Sequence, residues 1–226
     1  MSAEDRAASL LVGLLDARHS VRAFREDQVP HATIVRMLEM AQLTPSWCNT
    51  QPWHATVTSG AGTERFRAAL HAHARDHKPA PDFEFPAGYV GDYRRRRKDA
   101  GVALYQALGI GREDRQASAA QALENFRLFG APHVAILTTE ADLGVYGVLD
   151  CGLWLQSFLL AGASLGVACT PQAALASTAP FVREFFDIPE TRRIVCGVSF
   201  GYEDTTHPAN SFRTGRDPLD VTWLDA

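Results

Sequence analysis

The 226-residue chain has little cysteine, no long uninterrupted apolar run and no excess of positive charge, and each shortfall removes a class of protein. Its four cysteines, Cys48, Cys151, Cys169 and Cys196, are widely spaced and form no Cys-x-x-Cys, so neither a disulfide framework nor a zinc site is indicated. No apolar run reaches the roughly 18 residues of a membrane-spanning helix, which argues against a membrane class. A formal net charge of −4 argues against a nucleic-acid partner. The opening Met1-Ser2-Ala3-Glu4-Asp5-Arg6 is too polar for a secretory signal, and a reducing cytoplasm is the expected home. Catalytic signatures are missing too: there is no Walker lysine motif and no Gly-x-Ser-x-Gly elbow. Gly60-Ala61-Gly62 lacks the third glycine of a dinucleotide fingerprint and has Arg65 in its place.

What is present is the composition of a globular domain, 46% apolar and 21% charged, long enough for one core, and a single domain over 1–226 is expected. Helical spacing of apolar residues predicts helices over 5–17, 30–43, 64–74, 89–108, 117–129, 145–165 and 180–186. Strands are expected over 53–58, 133–139 and 193–202, with a strand edge and turn at 166–172. Residues 145–165 are apolar almost all round, but Asp150 and Gln156 sit inside the run, so a core or subunit interface is expected rather than a bilayer. The stretch 75–130 is irregular, and such an excursion is where substrate-facing structure is often added. The tail from Glu203 carries Arg213, Arg216, Pro218, Val221 and Trp223, too many large residues for a frayed end, and should pack on something, a second subunit included.

Among possible sites, Arg18-His19-Ser20-Val21-Arg22 stands out. In an extended segment, alternate residues share a face, so Arg18, Ser20 and Arg22 would present two guanidiniums and a hydroxyl to one anion. The five residues alone are equally consistent with a solvated segment after a helix. His71, His73 and His77 lack a carboxylate set and read as solvated, so no metal is expected. Arg94-Arg95-Arg96-Arg97-Lys98 reads as a solvated helix face or as an anion site for a pyridine nucleotide. Cys48 and His54 lack a third orienting residue. One phosphorylated, planar, hydrogen-bonding ligand would account for four separate features. These are the 18–22 clamp, the polar Pro45–Trp53 loop, the Thr170-Pro171-Gln172 turn and the late arginines.

Taken together, Arg18-His19-Ser20-Val21-Arg22-Ala23-Phe24 and Pro45-Ser46-Trp47-Cys48-Asn49-Thr50-Gln51-Pro52-Trp53 resemble the N-terminal signature of the FMN-dependent nitroreductase family. The resemblance continues through Gly166–Gln172, Gly197-Val198-Ser199-Phe200-Gly201 and Arg213-Thr214-Gly215-Arg216. It implies an α+β fold, a mixed, mostly antiparallel sheet surrounded by helices, in an intertwined homodimer with C-terminal arm exchange. It also implies FMN as cofactor, with NADH or NADPH as electron donor and small aromatic substrates. Nitroaromatics reduced by two-electron ping-pong hydride transfer are the leading expectation. Quinones, enones or halogenated phenols are the alternative on the same scaffold, and a flavin-binding protein without turnover is a third. By the same resemblance, Arg18, Ser20 and Arg22 hold the phosphate and ring edge, with His19 contributing mainly backbone. Arg216 and Arg213 close the phosphate. Pro45, Ser46, Asn49 and Gln51 reach the flavin from the other subunit or support its pocket, and Pro171, Gln172, Ala173 and Ala174 run along the ring. Some relatives have Glu-Gly where this chain has Ala173-Ala174, which preserves only a backbone role. The chemistry belongs to the cofactor, so no side chain is singled out as catalytic. Trp47, Tyr93, Phe126 and Phe129 are the expected substrate walls, since aromatic faces suit flat substrates.

Overall fold

The computed structural model describes residues 2–224. Helix α1 (Ala3–Ala17) opens on a capping box in which Ser2 and Asp5 exchange side-chain and backbone hydrogen bonds. Helix α2 (His31–Gln42) starts directly after Pro30, whose fixed φ suits a helix entry. Strand β1 (His54–Val57) leads into α3 (Gly60–Asp76), which begins earlier than apolar spacing predicts. The reason is Gly60, which takes a φ of +50° at the entry while its N–H donates to Gln28.

The irregular middle contains α4 (Gly91–Ala107) and α5 (Arg115–Leu123). The helix expected over 117–129 is divided: α5 stops at Leu123 and a 3-10 segment follows over Glu124–Gly130. There Leu128 and Phe129 have φ of +58° and +52°, which breaks the helix and turns both side chains into the core. The chain continues with β2 (His133–Glu140), α6 (Gly144–Ser164), β3 (Ala168–Gln172), α7 (Ala173–Ala176), α8 (Ala179–Phe186) and β4 (Arg192–Gly201).

The four strands pair antiparallel in the order β1-β2-β4-β3. All strand pairs of the sheet are antiparallel, and the parallel character expected of it is confined, among the described residues, to the isolated bridge of Ser20 to Cys169 at the β3 edge. Phe24 bridges to Glu203 just beyond β4, so the 20–24 segment is laid along the sheet margin.

Both faces of the sheet are covered. Ala135 and Leu137 of β2 face one core with Met37 and Ala41 of α2 and Trp154 and Phe158 of α6. Val134 and Ile136 face the other, with Phe66 and Leu70 of α3, Val182 of α8, and Leu128. This is the two-residue period of a strand buried on both sides. The glycines of Gly197-Val198-Ser199-Phe200-Gly201 have a packing cause. A Cβ on Gly197 would lie 2.4 Å from Leu175 Cδ2, and one on Gly201 would lie 2.5 Å from Pro132 Cδ.

Helix α6 belongs to a segment, Ala141–Ser164, long and apolar enough to cross a membrane by length and composition. It instead buries Cys151, Trp154, Phe158, Leu159 and Ala161 in the core. Its other face leaves Val145, Tyr146, Leu149 and Leu153 exposed, and α1, which packs against α6, leaves Leu11, Val12 and Leu15 exposed.

Candidate cofactor site

The edge bridge at Ser20 dictates the geometry of the 18–22 segment. Val21 points into the second core, and its carbonyl accepts a bond from the Thr170 hydroxyl. With Val21 inward, Ser20 and Arg22 turn the other way. They line a cavity of about 740 Å³ together with Arg18, Gln156, Phe212, Arg213, Thr214 and Arg216. Arg18, Arg22, Arg213 and Arg216 contribute four guanidiniums there, and among the described residues Asp16 is the single carboxylate on the lining. Such a donor set suits an anion with several oxygens.

Arg22 is held from several sides. Its backbone N–H donates to Asn210 Oδ1 at 2.7 Å, and its Nη1 donates to the Ser20 carbonyl at 3.2 Å. Its guanidinium lies 5.9 Å from the centre of the Phe212 ring, within cation–π reach. Burial pulls the pKa of the Arg22 guanidinium below its ordinary value. Asn210 itself is buried, and its Nδ2 donates to the carbonyls of Ala23 and Asp204, both at 2.9 Å. His19 is engaged at both ring nitrogens, by Glu203 at 3.1 Å and the Ala17 carbonyl at 3.0 Å, which leaves its backbone for the cavity.

The other expected site residues lie elsewhere in the single chain. Pro45, Ser46, Asn49 and Gln51 form a separate loop, in which Cys48, Asn49 and Gln51 all adopt φ near +50°. Non-glycine residues held there store strain, which gathers at functional sites. The loop is fixed from below: the Ser46 hydroxyl accepts the Gln51 N–H at 2.9 Å, and buried Asp150 accepts the Trp47 N–H at 3.2 and 3.3 Å. Pro171 and Gln172 close β3, and Ala173 and Ala174 open α7. The Gln172 side chain is consumed inside, bonding the Asn125 carbonyl at 2.8 Å and the Ser199 hydroxyl. Only its backbone remains for a ligand.

The aromatic residues are dispersed. Trp47 is exposed against Tyr146, and Tyr93 is exposed on α4 beneath Arg96. Phe126 and Phe129 pack on the second core, and Phe129 also borders a cavity of about 590 Å³ that Arg22, Arg67 and His207 share. His73 and His77 stack at 4.0 Å, and no metal-holding cluster occurs among the described residues.

Sequence reasoning missed Asn210, Phe212, Asp217 and the role of Asp150. A signal existed for Asp150, as a charge inside an otherwise apolar helix. For the tail residues there was none.

An α+β sheet whose edge presents an arginine-rich cavity defines a protein with a site suited to a phosphorylated or otherwise anionic ligand. The comparisons make this more particular: the chain belongs to the nitroreductase family, whose model matches residues 15–202. Nitroreductase NfnB of Mycolicibacterium smegmatis is 38% identical over 210 residues, 92% of this chain and 89% of the relative. A 4-nitrobenzoate reductase of a Nocardioides species is 36% identical over 223 residues, 93% of this chain and 88% of the relative. The crystal structure of the FMN-dependent nitroreductase NfnB from Mycobacterium smegmatis in complex with NADPH superimposes with a TM-score of 0.92 at 36% identity. The match covers 97% of this chain and 100% of that one.

Proposed function

We propose that this protein is an FMN-dependent oxidoreductase that uses NAD(P)H to reduce nitroaromatic compounds to nitroso and hydroxylamine products, as a single-domain subunit of a cytoplasmic homodimer. The observation that carries the reading is the convergence of Arg18, Ser20 and Arg22 with Arg213 and Arg216 on one cavity, from opposite ends of the chain. Relatives named for this chemistry match nearly the whole length. FMN, when bound, would supply the two-electron redox chemistry between NAD(P)H and the nitro compound.

The protein's part is to bind and orient. Arg18, Ser20, Arg22, Arg213 and Arg216 would hold the phosphate by charge-assisted hydrogen bonds. Pro171, Gln172, Ala173 and Ala174 would meet the ring through their backbone, since the Gln172 side chain is spent in the core. A second subunit completes the site. The apolar faces of α1 and α6 that stand exposed in one chain cover one another, and the strained 45–51 loop of the other copy supplies Pro45, Ser46, Asn49 and Gln51. Of the aromatic residues, exposed Trp47 and Tyr93 are offered to the substrate, whereas Phe126 and Phe129 are engaged in the second core. Free thiols buried at Cys151, Cys169 and Cys196, each pushed up to about 12 by burial, fit a reducing compartment.

The test begins with a visible spectrum of the purified protein, followed by anaerobic addition of NADH or NADPH and turnover with nitroarenes, quinones and halophenols. Flavin bands that bleach, and a nitroarene that turns over, are expected. A colourless preparation removes FMN from the reading, and inertness toward every nitroarene removes the substrate class.

A further inference from the structure

The tail beyond the 3-10 turn at Pro208–Asn210 has no regular secondary structure through Leu224, yet Arg213 and Arg216 within it line the cofactor cavity. Their own hydrogen bonds are local. Arg213 Nη1 donates to the carbonyls of Asn210 and Phe212, and Arg216 Nη1 donates to Thr214 and to the Gly215 carbonyl. Bonds between close neighbours shape a segment without anchoring it to the body.

The anchor is the next residue. Asp217 Oδ2 accepts from Arg95 Nη2 at 2.5 Å and from Arg96 Nε at 2.7 Å. Both arginines sit on α4, where Asp92 Oδ1 at 3.2 Å and Asp99 Oδ2 at 3.7 Å brace Arg95 in turn. The hydrogen bonds from Arg95 and then Arg96 hold the Asp217 carboxyl below its ordinary value, so it is ionised at neutral pH. On this side of the tail, Arg95, Arg96, Asp99, Arg213, Arg216 and Asp217 enclose a smaller cavity of about 220 Å³. Residues 213–217 therefore form a wall with the cofactor cavity on one side and α4 on the other.

We infer that Asp217 is a positioning residue for the cofactor phosphate: clasped by Arg95 and Arg96, it pins the tail so that Arg213 and Arg216 stay aimed into the cavity. Two of the five basic residues at 94–98 are thereby assigned to holding the tail rather than to a free nucleotide. The clasp also ties α4, part of the inserted middle, to cofactor retention. The inference rests on the FMN reading above.

Titration of the apoprotein with FMN and with riboflavin, which lacks the phosphate, tests it. Asp217→Asn should raise the FMN Kd roughly fivefold, the size of an exposed ion-pair network. The riboflavin Kd should change by less than about twofold, because no phosphate is there to lose its partners. Arg95→Gln/Arg96→Gln should weaken FMN similarly, and adding Asp217→Asn to that pair should weaken it no further, as expected of members of one clasp. Equal weakening of both flavins, or an FMN Kd unchanged in Asp217→Asn, overturns the inference while a wild-type preference for FMN over riboflavin leaves the phosphate clamp standing. A wild-type protein without that preference overturns the clamp and this inference together.

Discussion

Asn210→Ala tests how the two ends of the chain are joined at the cavity. The Asn210 side chain makes three hydrogen bonds, accepting from the Arg22 N–H at 2.7 Å and donating to the Ala23 and Asp204 carbonyls at 2.9 Å. One of these is buried and two are reached in part by water, so truncation strands three backbone groups to different degrees. At about 1 kcal/mol per bond, the loss comes to about 2–3 kcal/mol. For a chain of this length, that lowers the Tm by about 5–10 °C. The measurement is thermal and urea unfolding of apoprotein at fixed concentration, because subunit association would otherwise shift the midpoint. Alongside it, FMN titration should show weakened binding, since Arg22 loses the contact that fixes its backbone. A stability loss below about 0.5 kcal/mol would refute the staple, because water would then be replacing the asparagine at almost no cost.

Arg18→Ala should raise the FMN Kd by at least tenfold, since the phosphate loses a charge-assisted partner worth about 1.5–3 kcal/mol; an unchanged affinity in that titration counts against the clamp. FMN affinity should also fall as salt rises, and a flat ionic-strength series would point away from a charge-led site. Asp82→Ala should destabilise the fold by about 3 kcal/mol, because buried Arg183 would keep only the exposed Glu190 carboxylate at 3.5 Å. The Asp82 carboxylate also accepts the Ile194 N–H at 2.7 Å, and urea unfolding reads the loss. His133 lies buried with Nε2 accepting the Val29 N–H at 2.9 Å, and burial holds its pKa below the ordinary 6.5. The unfolded chain thus takes up a proton that the folded chain refuses, so stability falls as pH drops through 6.5 toward the folded pKa and is unaffected above it. His54 and His73 shift in the same direction, so the control is His133→Gln, whose Tm should show a flatter acid limb; an unaltered limb would exclude His133 as a source.

Apolar spacing located most helices and strands, most directly α2, α3, α6 and α8, which bury apolar side chains in the two cores at that spacing. It failed at 117–129, where Leu128 and Phe129 take left-handed φ and bury their side chains in the second core, a tertiary arrangement that apolar spacing does not encode. The donor types for an anion were equally plain in Arg18, Ser20 and Arg22, whose alternation requires only an extended backbone. Their convergence with Arg213 and Arg216 was not, since residues nearly two hundred positions apart meet only when Ser20 pairs with Cys169 and the tail returns across Asn210. The basic run at 94–98 shows the difference most directly. Its charge was evident from composition, but that Arg95 and Arg96 grip Asp217 depends on where α4 packs, and a long-range contact leaves no trace in local spacing.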